Sequence, residues 1–130
     1  MRRALVVDDQ KDIRDILSDM LAAMGFEVAV AHSGNEGLNT FLRTSFDLVL
    51  TDLKMPGMDG WALALRIKEE SSVTPVVLMT GEAKEVVRDK LKGNCIDFVM
   101  FKPLRLQDIQ KTVRAVLGIQ PSATGTALER

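Results

Sequence analysis

Cysteine, histidine and tyrosine are nearly missing from this chain, whose 130 residues include one Cys, one His and no Tyr. The lone Cys95 excludes an internal disulfide, and without clustered Cys or His a thiolate or imidazole metal site is not expected. Any metal would therefore be held by oxygen ligands. Long apolar runs are absent too. The longest are strand-sized, too short to span a bilayer, and Met1-Arg2-Arg3 leads through one short apolar run into two acids, unlike a signal peptide. A cytoplasmic protein with no membrane association is expected. Nor is there an excess of charge: 17 Lys and Arg against 18 Asp and Glu leave a net −1, which offers no electrostatic basis for direct nucleic-acid binding.

What is present suits one domain with one core. Short apolar runs alternate with helical stripes along most of the chain. Leu5-Val6-Val7 precedes Asp8-Asp9. Ile13, Ile16, Leu17, Met20, Leu21 and Met24 recur at spacings of three and four, with Gly25 placed to cap the helix. Phe26 to Ala31 predicts a strand, and Ser33 with Glu36 is a capping-box signature for a helix carrying Leu38, Phe41 and Leu42. Leu48-Val49-Leu50-Thr51 leads to Asp52, and turn residues fill 54–60. Trp61, Ala62, Leu65 and Ile67 mark a third helix, and Pro75 opens the strand that stops at Thr80-Gly81. Residues 83–92 form a thinly apolar helix. Ile96 to Phe101 is a fifth strand closed by Lys102-Pro103, and Leu106, Ile109, Val113, Val116 and Leu117 stripe the last helix. After Gly118 the segment 119–130 is patternless and is expected to be a flexible tail, leaving residues 1–118 as the domain. Five strand–helix units predict a doubly wound α/β fold with a parallel sheet covered on both faces.

In such sheets ligands bind beyond the carboxyl ends of the strands, where strand order reverses. The polar strand-end residues are Asp8, Asp9, Asp52, Thr80 and Lys102. If the order is 2-1-3-4-5, strands one and three are neighbours, so the three carboxylates converge while Thr80 and Lys102 flank them. Carboxylates so close repel and favour protonation unless a cation compensates. Mg²⁺, a hard ion that takes oxygen ligands and keeps some of its water, fits a site of few carboxylates with room for a phosphate. One Asp can then stay ionised and attack a phosphoryl group in line, with Lys102 and the Thr80 hydroxyl on the equatorial oxygens. Asp52 is the natural nucleophile, because Asp8 and Asp9 share one strand end and are better placed as metal ligands. Each element also has a plainer use. Asp8 and Asp9 can cap the first helix, Thr80 the fourth, and Lys102 can be a solvated lysine. His32 ends the second strand, away from the site, and suits a surface role. Trp61 and Cys95 suit packing.

The acidic pair, Asp52-Leu53-Lys54-Met55-Pro56-Gly57-Met58-Asp59-Gly60, Thr80-Gly81 and Lys102-Pro103, in this order and spacing, closely resemble the receiver domain of two-component response regulators, over residues 2 to about 118. The resemblance implies a flavodoxin-like (βα)5 fold with the five-stranded parallel sheet in order 2-1-3-4-5. It implies that Asp52 accepts phosphoryl from a sensor histidine kinase or histidine phosphotransferase. Asp9 would bind Mg²⁺ directly, Asp8 through a water, and the Lys54 backbone carbonyl would be a further ligand. Lys102 would contact the phosphoryl oxygens, with its bond to Pro103 cis, and Thr80 would report the phosphoryl group by turning toward it. Output would be binding to a downstream protein target through the fourth helix, fifth strand and fifth helix.

There is one departure. The aromatic residue usual three positions before the lysine is Val99 here, with Phe98 one residue earlier, and Gly93 lies farther from Lys102 than is usual. An added residue or a bulge in the fifth strand is expected, and either Phe98 acts as the switch aromatic or that coupling is missing. Two other functions compete. A Mg²⁺-dependent aspartyl-phosphate phosphohydrolase would need an acid two residues after Asp52, where Lys54 stands, so a signalling protein is expected in preference to an enzyme. A receiver fragment of a larger regulator fits the same residues.

Overall fold

Each apolar run becomes a strand, three of the five buried along nearly their whole length, and each striped segment becomes a helix packed on the sheet. The structure, a computed structural model, describes residues 1–91 and 96–118. In chain order the elements are β1 (Arg3–Val7), α1 (Lys11–Ala23), β2 (Glu27–Ala31), α2 (Gly34–Arg43), β3 (Leu48–Asp52), α3 (Gly60–Glu70), β4 (Val76–Thr80), α4 (Lys84–Leu91), β5 (Phe98–Phe101) and α5 (Leu106–Leu117). The sheet is parallel throughout, in the order β2-β1-β3-β4-β5. The expected Gly93, Cys95, end of the fourth helix at Lys92 and tail 119–130 lie outside the described residues.

Alternation along the strands divides the core. Val6, Leu50, Val77, Met79 and Met100 pack with Leu17 and Leu21 of α1 and with Ile109 and Val113 of α5. Leu5, Val7, Val49 and Val76 pack on the other face with Leu38 and Phe41 of α2 and with Leu63 and Ile67 of α3. Strands buried on both faces read as unbroken apolar runs, which is why β1, β3 and β4 lack polar alternation. In α3 the side chains that enter the core are Leu63, Ala64 and Ile67, whereas Leu65 is about half exposed.

Two strand starts fall later than their apolar runs, each because a backbone group is used elsewhere. Gly25 adopts a left-handed φ of +94°, its N–H donating to Ala22 O and that of Phe26 to Leu21 O. This pair of bonds is a Schellman cap. Phe26 therefore terminates α1, and β2 begins at Glu27, whose N–H reaches Arg2 O at 2.8 Å. Before β5, Asp97 donates to Val76 O while its Oδ2 accepts from Val76 N and lies 2.7 Å from Lys68 Nζ. A side chain thus closes the ladder one residue ahead of Phe98. The capping box at α2 is modified: Ser33 Oγ accepts from Glu36 N, but Glu36 Oε1 reaches back to His32 N, one residue beyond the cap.

Candidate functional site at the carboxyl ends of β1 and β3

Asp8 follows β1 directly and is fully buried. Its N–H donates to Ala31 O, which fastens the β1 end to β2, and its Oδ1 accepts from Gln10 N at 2.9 Å where the chain turns into α1. From α1, Arg14 Nη1 donates to the Asp8 carbonyl at 2.9 Å. Asp52 is the last residue of β3. The next residue, Leu53, donates to Met79 O and accepts from Gly60 N, so the loop after β3 is pinned on both sides. Gly60 is required there: a Cβ would stand 2.5 Å from Asp52 O and 2.7 Å from Leu78 Cδ1. Asp59 caps α3 by accepting from Ala62 N.

These anchors bring one carboxylate oxygen each from Asp8, Asp9 and Asp52 within 4.8 Å of one another, with Asp9 exposed and the other two buried. Lys102, just past β5, places Nζ 3.0 Å from Asp52 Oδ1 and 3.7 Å from Asp8 Oδ2. Asp8 Oδ2 is buried and has no hydrogen-bond partner. Burial raises the Asp8 carboxyl above its ordinary range, Gln10 N–H pulls it back, Asp52 raises it again, and Lys102 offsets part of that. A buried oxygen with no donor, facing two more carboxylates, is what an oxygen-loving divalent cation would satisfy. The residues present fit such an ion.

The remaining expected residues stand at the rim. Thr80 ends β4, is buried, and its Oγ1 accepts from Glu82 N at 3.0 Å. Lys54 is exposed in the loop after β3, and its Nζ pairs with Glu82 Oε1 at 3.0 Å. The Lys102–Pro103 peptide bond is cis. His32 lies at the surface beside Glu36, and Trp61 is half-buried at the start of α3.

The β5 register runs without a skip from Val77 opposite Phe98 to Thr80 opposite Phe101, so β5 itself contains no bulge. Phe98 shares a face with Val77 and Met100, toward α5, whereas Thr80 lies on the opposite face with Val99 and Phe101. Phe98 is therefore turned away from Thr80.

Sequence reasoning missed two contributors. Arg14 was only one of several polar positions on the first helix, and its distance of six residues from Asp8 matches no capping pattern. Glu82 follows Thr80 by two residues, but its pairing with Lys54 joins loops 28 residues apart, for which the sequence has no local marker.

Comparison with known proteins agrees with this geometry. Residues 4–114 match the profile of the response regulator receiver domain. The chain is 35% identical over 121 residues to the regulatory protein AtoC of Escherichia coli, covering 92% of this chain and 26% of that protein. It is 33% identical over 109 residues to the sensor histidine kinase RcsC of Salmonella typhi, covering 84% of this chain and 12% of that one. The chain thus spans a minor part of these curated relatives. Among solved structures, response regulator TrrA of Thermotoga maritima in complex with Mg²⁺ and BeF superposes with a TM-score of 0.82 at 31% identity, covering 90% of this chain and all of that one.

Proposed function

The chain belongs to the response regulator receiver domain family, and from that membership we propose that it accepts a phosphoryl group on Asp52 and signals by binding another protein. The donor is a histidine kinase or histidine phosphotransferase, and residues 1–118 form the working unit. The observation that carries this is the convergence of Asp8, Asp9 and Asp52 within 4.8 Å, with Lys102 Nζ 3.0 Å from Asp52 Oδ1.

Asp52 attacks phosphorus in line as the bond to the donor imidazole nitrogen breaks, and the imidazole keeps the electron pair. Lys102, already paired with Asp52, moves its charge onto the phosphoryl oxygens. Asp9, Asp52, the Lys54 carbonyl and, through a water, Asp8 would hold Mg²⁺, which would supply positive charge to offset that of the phosphoryl group. Thr80 exchanges the Glu82 N–H for a phosphoryl oxygen and so registers the modification. The change passes to the α4, β5 and α5 face, where a protein target docks. Sustained phosphohydrolase turnover is disfavoured, because the side chain two residues after Asp52 is Lys54, a cation already paired with Glu82. No described helix is long and apolar enough to cross a membrane, and a cytoplasmic location suits a phosphoryl acceptor that meets kinases.

Incubation with Mg²⁺ and a small acyl phosphate, followed by intact mass measurement, should add one base-labile phosphoryl group to the wild-type chain and none to Asp52→Asn. An equal adduct on the Asn variant, or no adduct on wild type, would overturn the assignment.

A further inference from the structure

Phe101 has no part in the chemistry above, yet it is the neighbour of Thr80. The two residues are paired in register across β4 and β5, and Lys102 N donates to Thr80 O at 2.7 Å. The Phe101 ring is half-buried, and Lys84 Nζ lies 5.6 Å from its centroid. Lys84 is the first residue of α4, where a cation opposes the helix dipole. The negative face of the ring compensates for that placement. Among its residues α4 buries only Val87, so few other contacts fix its position. Thr80 is therefore linked toward α4 by two routes, through Glu82 N in the segment entering the helix and through its register neighbour Phe101, whose ring faces Lys84.

We propose that Phe101 is the positioning residue that ties the Thr80 hydroxyl to the first turn of α4. Its ring holds Lys84 while Thr80 is bonded to Glu82, and releases it when Thr80 turns toward a phosphoryl group. This rests on Asp52 being the phosphoacceptor. Phe98 cannot take the role, because a displacement of one residue along a strand changes the face whereas a displacement of two preserves it. Measured from Val99, Phe98 is one residue away and Phe101 two.

A contact made in one state only biases the equilibrium toward that state, so removing it favours the other. The test is titration of the full chain with beryllofluoride at saturating Mg²⁺, followed by amide spectra of residues 84–91. Phe101→Leu should tighten beryllofluoride binding about two- to fivefold, the factor expected for an exposed cation–π contact. Its unliganded α4 amide signals should also move toward their bound positions. Lys84→Met, at an exposed site that leaves the core untouched, should do the same, and the double variant should gain no more than either single one. Phe98→Leu should leave the affinity unchanged. Unchanged or weaker binding in Phe101→Leu and Lys84→Met, additive effects in the double variant, or an equal gain in Phe98→Leu would overturn the role of Phe101 alone. If the wild-type chain binds no beryllofluoride, the phosphoacceptor assignment fails first and this inference with it.

Discussion

The centre of the sheet and its β5 edge are built differently. Residues 4–7 of β1 and every residue of β3 and β4 are buried, and Asp8 and Asp52 project from the ends of β1 and β3. At the edge, β5 buries only Met100, Phe98 is 42% exposed, and α4 contributes Val87 alone. Convergent carboxylates need surroundings that resist displacement, because like charges relieve their repulsion by moving apart. A region that must change its surface needs the opposite, few contacts to remake. Thr80 stands on the boundary, with its backbone in the buried ladder and its hydroxyl turned to the segment entering α4. A phosphoryl group on Asp52, as proposed, would therefore act on the edge without disturbing the centre.

The most direct way to break this contrast is to remove apolar mass from each region. Leu50→Ala in β3 should cost about 2–5 kcal/mol in denaturant unfolding, since Leu50 is fully buried in the α1 and α5 core. Val86→Ala on α4, at a side chain nearly half exposed, should change stability by no more than ~0.5 kcal/mol. Comparable losses at the two sites would mean that α4 is as firmly held as β3.

A smaller effect separates two glycines. At Gly60 a Cβ would meet Asp52 O, Leu78 Cδ1 and Leu53 Cα at 3.0 Å or less, whereas at Gly81 nothing lies within 4 Å. Gly60→Ala should cost roughly 1–3 kcal/mol by overpacking and slow phosphoryl uptake by shifting the Asp52 backbone. Gly81→Ala should leave both nearly unchanged. Unfolding midpoints and adduct formation rates measured together test the pair. A slower rate in Gly81→Ala would show that the edge also sets the acceptor geometry.

The same contrast explains what could be read in advance. The five strands were legible because buried parallel strands leave unbroken apolar runs whose ends mark the site, whereas their order, and with it the convergence of Asp8, Asp9, Asp52 and Lys102, came from the family resemblance. The start of β2 was not, because Phe26 is apolar and in core contact but spends its N–H on the α1 cap. The face of Phe98 was not, because it depends on the β5 register, which Asp97 sets by accepting from Val76 N across 21 residues. Arg14 and Glu82 act through contacts between loops and helices that leave no periodic trace.

The smallest of these effects concerns charge at the centre. Burial and the neighbouring Asp52 hold the Asp8 carboxyl above its ordinary range, so the folded protein keeps that proton to higher pH than the unfolded chain does. Between the ordinary carboxyl range and the raised native value the folded state binds more protons, and stability falls as pH rises through that window. Asp8→Asn has no proton to lose there. In metal-free buffer near neutral pH the Asn variant should be more stable than wild type by ~1 kcal/mol, with the gain fading below about pH 4, where the unfolded chain is protonated as well. Saturating Mg²⁺ should shrink or reverse the difference, because a ligand that binds only the folded form stabilises wild type in proportion to its affinity. Glu85→Gln on exposed α4 is the matched control and should stay within ~0.5 kcal/mol at every pH. Thermal unfolding of the three proteins with and without Mg²⁺ checks the prediction. A less stable Asp8→Asn in metal-free buffer would show that the carboxylates do not oppose the fold there, and a rigid centre would no longer be needed to hold them together.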